Sequence, residues 1–174
     1  MSGLLVDVGS MVGRPGTSRE IVSAERIPGL VGTLGWVEEN DPVRLELTAE
    51  SVLEGIEVTG WLSGRLRLRC SRCLADYEEP FRQAVDEIFY LGTPPEEEGY
   101  QVTGDTIDLE PMVRDLVVLA IPVVPIHSED CRGLCPECGA DLNVVDCGHR
   151  SESADSRWAP LMSLEGLLGS TEEE

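Results

Sequence analysis

The sequence has no lysine. All 13 basic residues are arginine, set against 33 acidic residues, for a formal net charge of −20. That balance excludes broad coating of nucleic acid, which relies on summed positive charge. It suits a protein that repels its own copies or meets a basic partner. Aromatics make up only 5% of the chain, so the core must come from Val, Leu and Ile. Histidine is nearly absent, with two copies, and neither belongs to an obvious nucleophile-and-acid set, which leaves hydrolase chemistry with little support. The phosphate-loop pattern is missing too: "GRPGTSRE" at 13–20 has no Gly-Lys-Ser/Thr. No long apolar run occurs. The longest, "VVLAIPVVPI" at 117–126, holds two prolines and is too short for a bilayer. "MSGLLVDVGSMV" has no basic leader. These readings lead to the expectation of a cytoplasmic protein with no membrane partner and no small-molecule substrate.

What is present is β-patterned. "VRLELTA" at 43–49 and "GIEVTGWLSGRLRLRC" at 55–70 alternate apolar and polar, the second with a break near Ser63-Gly64. "YEEPFRQAVDEIFYL" at 77–91 has strand composition and a proline that suggests a bend. The stretch 92–105 reads as loop. A strand-like lead then runs into a helix near 109–121, with Pro111 in its first turn and Pro122 past its end. Leu109, Met112, Val113, Leu116, Val117 and Ala120 share one face of that helix. The fold class expected is α+β: an antiparallel β-meander or partly closed barrel, one main helix and a small C-terminal zinc-knuckle module. The organisation follows as a β-rich body over 1–130, a Cys/His metal-binding module over 131–150, and a C-terminal helix with an acidic tail over 151–174. In that tail Trp158, Leu161, Met162, Leu164 and Leu168 fall at helical spacing.

The chemistry lies in six cysteines. In a reducing compartment they point to metal or redox work before disulfides. "CRGLCPECGADLNVVDCGH" at 131–149 contains C-P-x-C-G followed by C-x-H. Two residues between thiols let both reach one ion, and Gly139 lets the chain turn beneath it, so Cys135, Cys138, Cys147 and His149 form a candidate Cys₃His zinc site. Cys70, Cys73, His127 and Cys131 remain. Six Cys and two His are the ligand count of two tetrahedral sites, which makes these four a candidate second site if the 70–73 turn meets the 127–131 segment. A free or redox-active Cys70/Cys73 pair is the competing reading, as a thiol–disulfide protein. The structural zinc count is thus one or two.

Four arginines adjoin that first pair: Arg65, Arg67, Arg69 and Arg72. In a strand, Arg65, Arg67 and Arg69 point one way and Leu66 and Leu68 the other. The stripe either neutralises neighbouring carboxylates or contacts RNA phosphates. Arg69 and Arg72 are expected to lower the cysteine pKa values.

Several stretches together resemble the YceD family, the large ribosomal RNA subunit accumulation proteins. They are "CSRCL" at 70–74, "DTIDLEPMVRDLVVLAIPVVP" at 105–125, "CRGLCPECGADLN" at 131–143 and "DSRWAPLMSL" at 155–164. The chain departs from the pattern in ending its cysteine cluster with Cys147-Gly148-His149 and in placing Ser156 where proline is common. The resemblance implies a non-catalytic ribosome biogenesis factor acting in synthesis, processing or stability of 23S ribosomal RNA. Its implied partners are ribosomal RNA or a pre-ribosomal particle. Combined with the charge, the resemblance adds a basic ribosomal protein. A generic zinc-binding protein-interaction module is the alternative.

Overall fold

A computed structural model describes residues 4–94 and 99–149. The expected C-terminal helix and tail lie outside the described residues. Strands β1 (Leu5–Asp7), β2 (Ser18–Glu25), β3 (Gly35–Trp36), β4 (Val43–Ser51), β5 (Gly55–Arg69), β6 (Asp76–Tyr90), β7 (Tyr100–Thr103) and β8 (Thr106–Asp108) precede one helix, α1 (Glu110–Ala120). The strands form an eight-stranded sheet in the order β1-β8-β7-β6-β5-β4-β2, with β3 added beside β5. The sheet curls into a half-barrel.

Its centre is the meander read from the sequence. β4 pairs antiparallel with the first half of β5, from Ser51↔Ile56 to Arg44↔Ser63. β5 and β6 pair along their whole length, from Gly55↔Tyr90 to Arg69↔Asp76. The expected break at Ser63-Gly64 does not occur, because both residues continue the β5–β6 register. Pro80 does not interrupt β6 either. There β6 pairs only with β5, since β7 joins it at Phe89 and Tyr90 alone, so the missing N–H faces an open edge. The loop expected at 92–105 contains β7. The N-terminal strands also went unpredicted. β2 exposes most of its side chains, so it carries little of the in–out alternation that marks a strand.

The alternation of β4 and β5 sorts one face to the interior. Val43, Leu45, Leu47 and Ala49 are buried, as are Ile56, Val58, Leu62, Leu66 and Leu68. Helix α1 closes the concave side with Met112, Val113 and Val117 buried and Leu116 and Ala120 partly so, the face read from the sequence. Just before the helix, the Asp108 carboxylate accepts from the Glu110 amide at 3.0 Å. A second, smaller cluster of buried residues stands apart from this core. It is built from Cys70, Cys73 and Cys131, with Tyr77, Ile126 and Leu134 packed around it. The long β5–β6 hairpin therefore has a conventional apolar base and a tip made of thiols.

Candidate metal centres

The tip of the β5–β6 hairpin is "CSRCLA", residues 70–75. The Cys70 amide donates to Ala75 O at 2.9 Å, and the Leu74 amide donates to Cys70 O at 2.9 Å. The later "CPECGA" repeats the pattern. Cys135 N donates to Ala140 O and Gly139 N to Cys135 O, both at 2.8 Å. The two turns are the same knuckle. Position five must take a left-handed backbone, with φ 72° at Gly139 and 60° at Leu74. Leucine hides the first knuckle from a sequence search for C-x-x-C-G, since a side chain there is strained and glycine is the usual solution.

Each knuckle gathers two further candidate ligands. The segment after α1 docks on the hairpin tip: Ser71 N donates to Pro125 O at 2.8 Å and Leu134 N to Arg72 O at 3.0 Å. This brings His127 and Cys131 to Cys70 and Cys73. The chain beyond the second knuckle folds back through an isolated Leu134↔Asp141 bridge, and brings Cys147 and His149 to Cys135 and Cys138. In each group of four the ligand atoms lie within 4.8 Å of one another. Among the described residues these two groups use all six cysteines and both histidines of the chain.

The spacing fits a tetrahedral ion. Zn–S bonds of about 2.3 Å and Zn–N bonds of about 2.0–2.1 Å set ligand sulfurs about 3.8 Å apart, and sulfur and nitrogen about 3.6 Å apart. Cys70 and Cys131 sulfurs are 3.8 Å apart, and Cys73 Sγ lies 3.4 Å from His127 Nδ1. Electrostatics points the same way. Burial raises the Cys70 thiol, but the His127 side chain and the amides of His127, Cys73 and Arg72 outweigh it and bring it down to about 5. Cys73 receives the Ala75 amide, which favours thiolate. Burial and rivalry with Cys70 and Cys131 nevertheless push it up to about 11. In the second group the Cys138 amide leads in lowering Cys135 to about 7, against its burial. Cys147 is raised despite the His149 amide, chiefly by sharing with Cys135. One thiolate per group thus suppresses the next, a conflict that a shared cation removes.

The arginine side chains do not set these values. Arg69 is held by Asp76, Nε to Oδ1 at 2.7 Å and Nη2 to Oδ2 at 3.0 Å, a two-pronged pair that lowers the Asp76 pKa. Arg72 donates to Cys131 O at 3.1 Å and Glu129 O at 3.4 Å, which makes it a strap between the knuckle and the docked segment. Arg67 meets Glu78 at 2.7 Å, and Arg65 approaches the same carboxylate at 3.5 Å. Leu66 and Leu68 are buried opposite them, as the strand reading requires. The stripe therefore faces its own carboxylates on β6. Sequence reasoning missed Asn143. Its side chain accepts from the Arg132 amide at 2.8 Å and donates towards Cys131 Sγ at 3.6 Å, which fixes where that sulfur points within the cluster.

The family model described as "Large ribosomal RNA subunit accumulation protein YceD" matches residues 58–165. An uncharacterized protein of Mycobacterium tuberculosis is 35% identical over 172 residues, covering 95% of this chain and 83% of the relative. The uncharacterized protein YlbN of Bacillus subtilis is 30% identical over 136 residues, 76% of this chain and 77% of the relative. A shorter match, 40% identical over 58 residues, covers 33% of this chain and 18% of the chloroplastic large ribosomal RNA subunit accumulation protein YCED homolog 1 of Arabidopsis thaliana. No solved structure matches. The family match takes in the hairpin tip, helix α1 and both clusters, and the chain belongs to the YceD family.

Proposed function

We propose that this protein is a non-catalytic ribosome biogenesis factor that supports synthesis, processing or stability of 23S ribosomal RNA in the cytoplasm, and that its two Cys/His clusters each hold a structural zinc ion. Membership of a family named for large ribosomal RNA accumulation carries the ribosomal part. The donor sets support the zinc part: three thiols and one imidazole in each cluster suit a closed, tetrahedral site with no open position for substrate. The same assignment weighs against thiol–disulfide exchange, because a redox pair needs free thiols. Cys70, Cys73 and Cys131 are all buried. No described helix is long and apolar enough to cross a membrane.

The partner in this reading is the pre-ribosomal large subunit. The −20 charge also favours contact with a basic ribosomal protein. Depletion of the protein in its host is the test. Mature 23S RNA is expected to fall relative to 16S RNA, with recovery on re-expression. An unchanged 23S to 16S ratio would contradict the ribosomal assignment.

A further inference from the structure

The outer face of the sheet carries arginines beyond the stripe beside the cysteines. Arg44 on β4 lies across from Ser63 on β5, which lies across from Arg82 on β6. Arg65 is the next outward residue of β5. These three side chains line a groove of about 610 Å³ whose floor includes Ser63 and Gly64. Arg44 and Arg82 stand two strand spacings apart, about 10 Å, a gap that two guanidinium arms close around one or two anionic oxygen groups.

Two of these arginines differ from their neighbours in being unneutralised, and the third is only loosely held. Arg67 and Arg69 have close carboxylates, and Arg72 is bound to carbonyls. Among the described residues neither Arg44 nor Arg82 has an ion-pair partner. Arg65 is held only at 3.5 Å, with its side chain 70% exposed. Asp41 is the one acidic residue of the groove lining. Beside the groove, Trp61 is 41% exposed, and the Arg82 guanidinium lies over its ring, 4.1 Å from the centroid. Glu46 on β4 lies directly across from Trp61, and farther along the same face stand Asp86 on β6 and Glu57 on β5 itself.

We infer that the Arg44–Arg65–Arg82 groove, with Trp61 at its border, is a binding site for a short single-stranded segment of RNA. The arginines take its phosphates, and a base stacks against the Trp61–Arg82 pair. The acidic residues beside and beyond Trp61 limit the footprint to a short segment and keep duplex off the face, since a duplex needs a broad basic surface. An acidic peptide could meet the arginines, but it has no use for the stacked ring pair. The site rests on the ribosomal reading for its biological ligand, and not for its chemistry.

Fluorescence anisotropy with a short labelled oligouridylate tests it on the intact protein. Binding is expected with a shallow salt dependence, a log–log slope of about −2 for three phosphates. The Arg44→Gln/Arg82→Gln variant should bind about tenfold more weakly with a slope reduced by about 1 or more, while its melting temperature falls by no more than the loss of the exposed Arg82–Trp61 ring contact costs, because neither arginine is ion-paired. Arg67→Gln/Arg69→Gln should change affinity by less than about threefold, since those charges are already neutralised. Trp61→Leu should weaken binding without altering the salt slope. No binding by the wild type at low salt overturns the proposal, as do equal losses in the two arginine pairs. Equal affinity for an oligoglutamate of the same charge assigns the groove to an acidic protein and overturns it too. Depletion separates the two claims: 23S RNA that falls on depletion but is fully restored by the Arg44→Gln/Arg82→Gln variant keeps the ribosomal role and removes this groove from it.

Discussion

Stripping metal from the native protein with a strong chelator is expected to release residues 126–149 while the half-barrel stays folded. Among the described residues this segment has no helix and no strand beyond one isolated bridge. Its buried side chains are largely the cysteines themselves, in a cluster separate from the main core. Ordering each residue's backbone costs about 1–2 kcal/mol, and the few partly buried apolar groups at the tip cannot offset that along the whole segment. A structural zinc contributes about 10–16 kcal/mol at neutral pH in small zinc domains, which is of the scale required. Hydrogen exchange reads the outcome directly. The amides of Ser71, Leu134, Cys135, Gly139 and Leu142 donate to backbone carbonyls in the docked arrangement, and all five should lose protection together. Amides of the β4–β5–β6 ladder should keep theirs. Retained protection at those five positions after metal removal would mean that packing alone holds the segment.

The second large effect belongs to Gly60, in the middle of β5. Its φ is +138°, and a Cβ built there would sit 2.2 Å from Glu46 O and 2.9 Å from Leu47 Cα. Both atoms are backbone of β4, so no side-chain rotation relieves the clash. Gly60→Ala is expected to cost about 3 kcal/mol or more by combining an unfavourable backbone with overpacking. That is a large share of the ~5–15 kcal/mol that holds an ordinary domain together. Urea denaturation should show the midpoint shift. A loss below about 1 kcal/mol would show that β4 and β5 separate easily at this point. The same glycine brings the two backbones close, so the substitution should loosen β4 against β5 before it disturbs α1.

The parts of this architecture that were legible in the sequence are those with local signatures. Period-two alternation marked β4, β5 and the inward Leu66 and Leu68. Prolines at 111 and 122 framed α1, and C-x-x-C spacing with the count of ligands yielded both groups of four. What stayed hidden depends on register and on non-local pairing. β2 is mostly exposed and short β7 sits in a loop-like composition, so neither carries a strong pattern. The pairing of Arg67 with Glu78 and Arg69 with Asp76 follows from the β5–β6 register, which turns an apparent basic stripe into a neutralised one. The arginines of the groove come from three different strands, so no linear motif announces them. The hairpin knuckle was seen as a cysteine pair but not as a twin of the second. Leu74 stands in the left-handed position that Gly139 fills in its counterpart. Asn143 had no signal at all, since its contact with Cys131 arises only once the segment folds back.

Metal stoichiometry tests the central claim most directly. Protein purified without added metal or chelator should contain two zinc ions per chain, one for each Cys/His cluster, by elemental analysis and native mass spectrometry. Its thiols should react with a thiol reagent only after the metal is removed. Cys73→Ser and Cys138→Ser should each lower the count by one ion. A metal-free protein whose thiols are all titratable in the folded state would contradict the account. So would a single ion per chain with Cys70 and Cys73 free, which would return the hairpin tip to thiol chemistry.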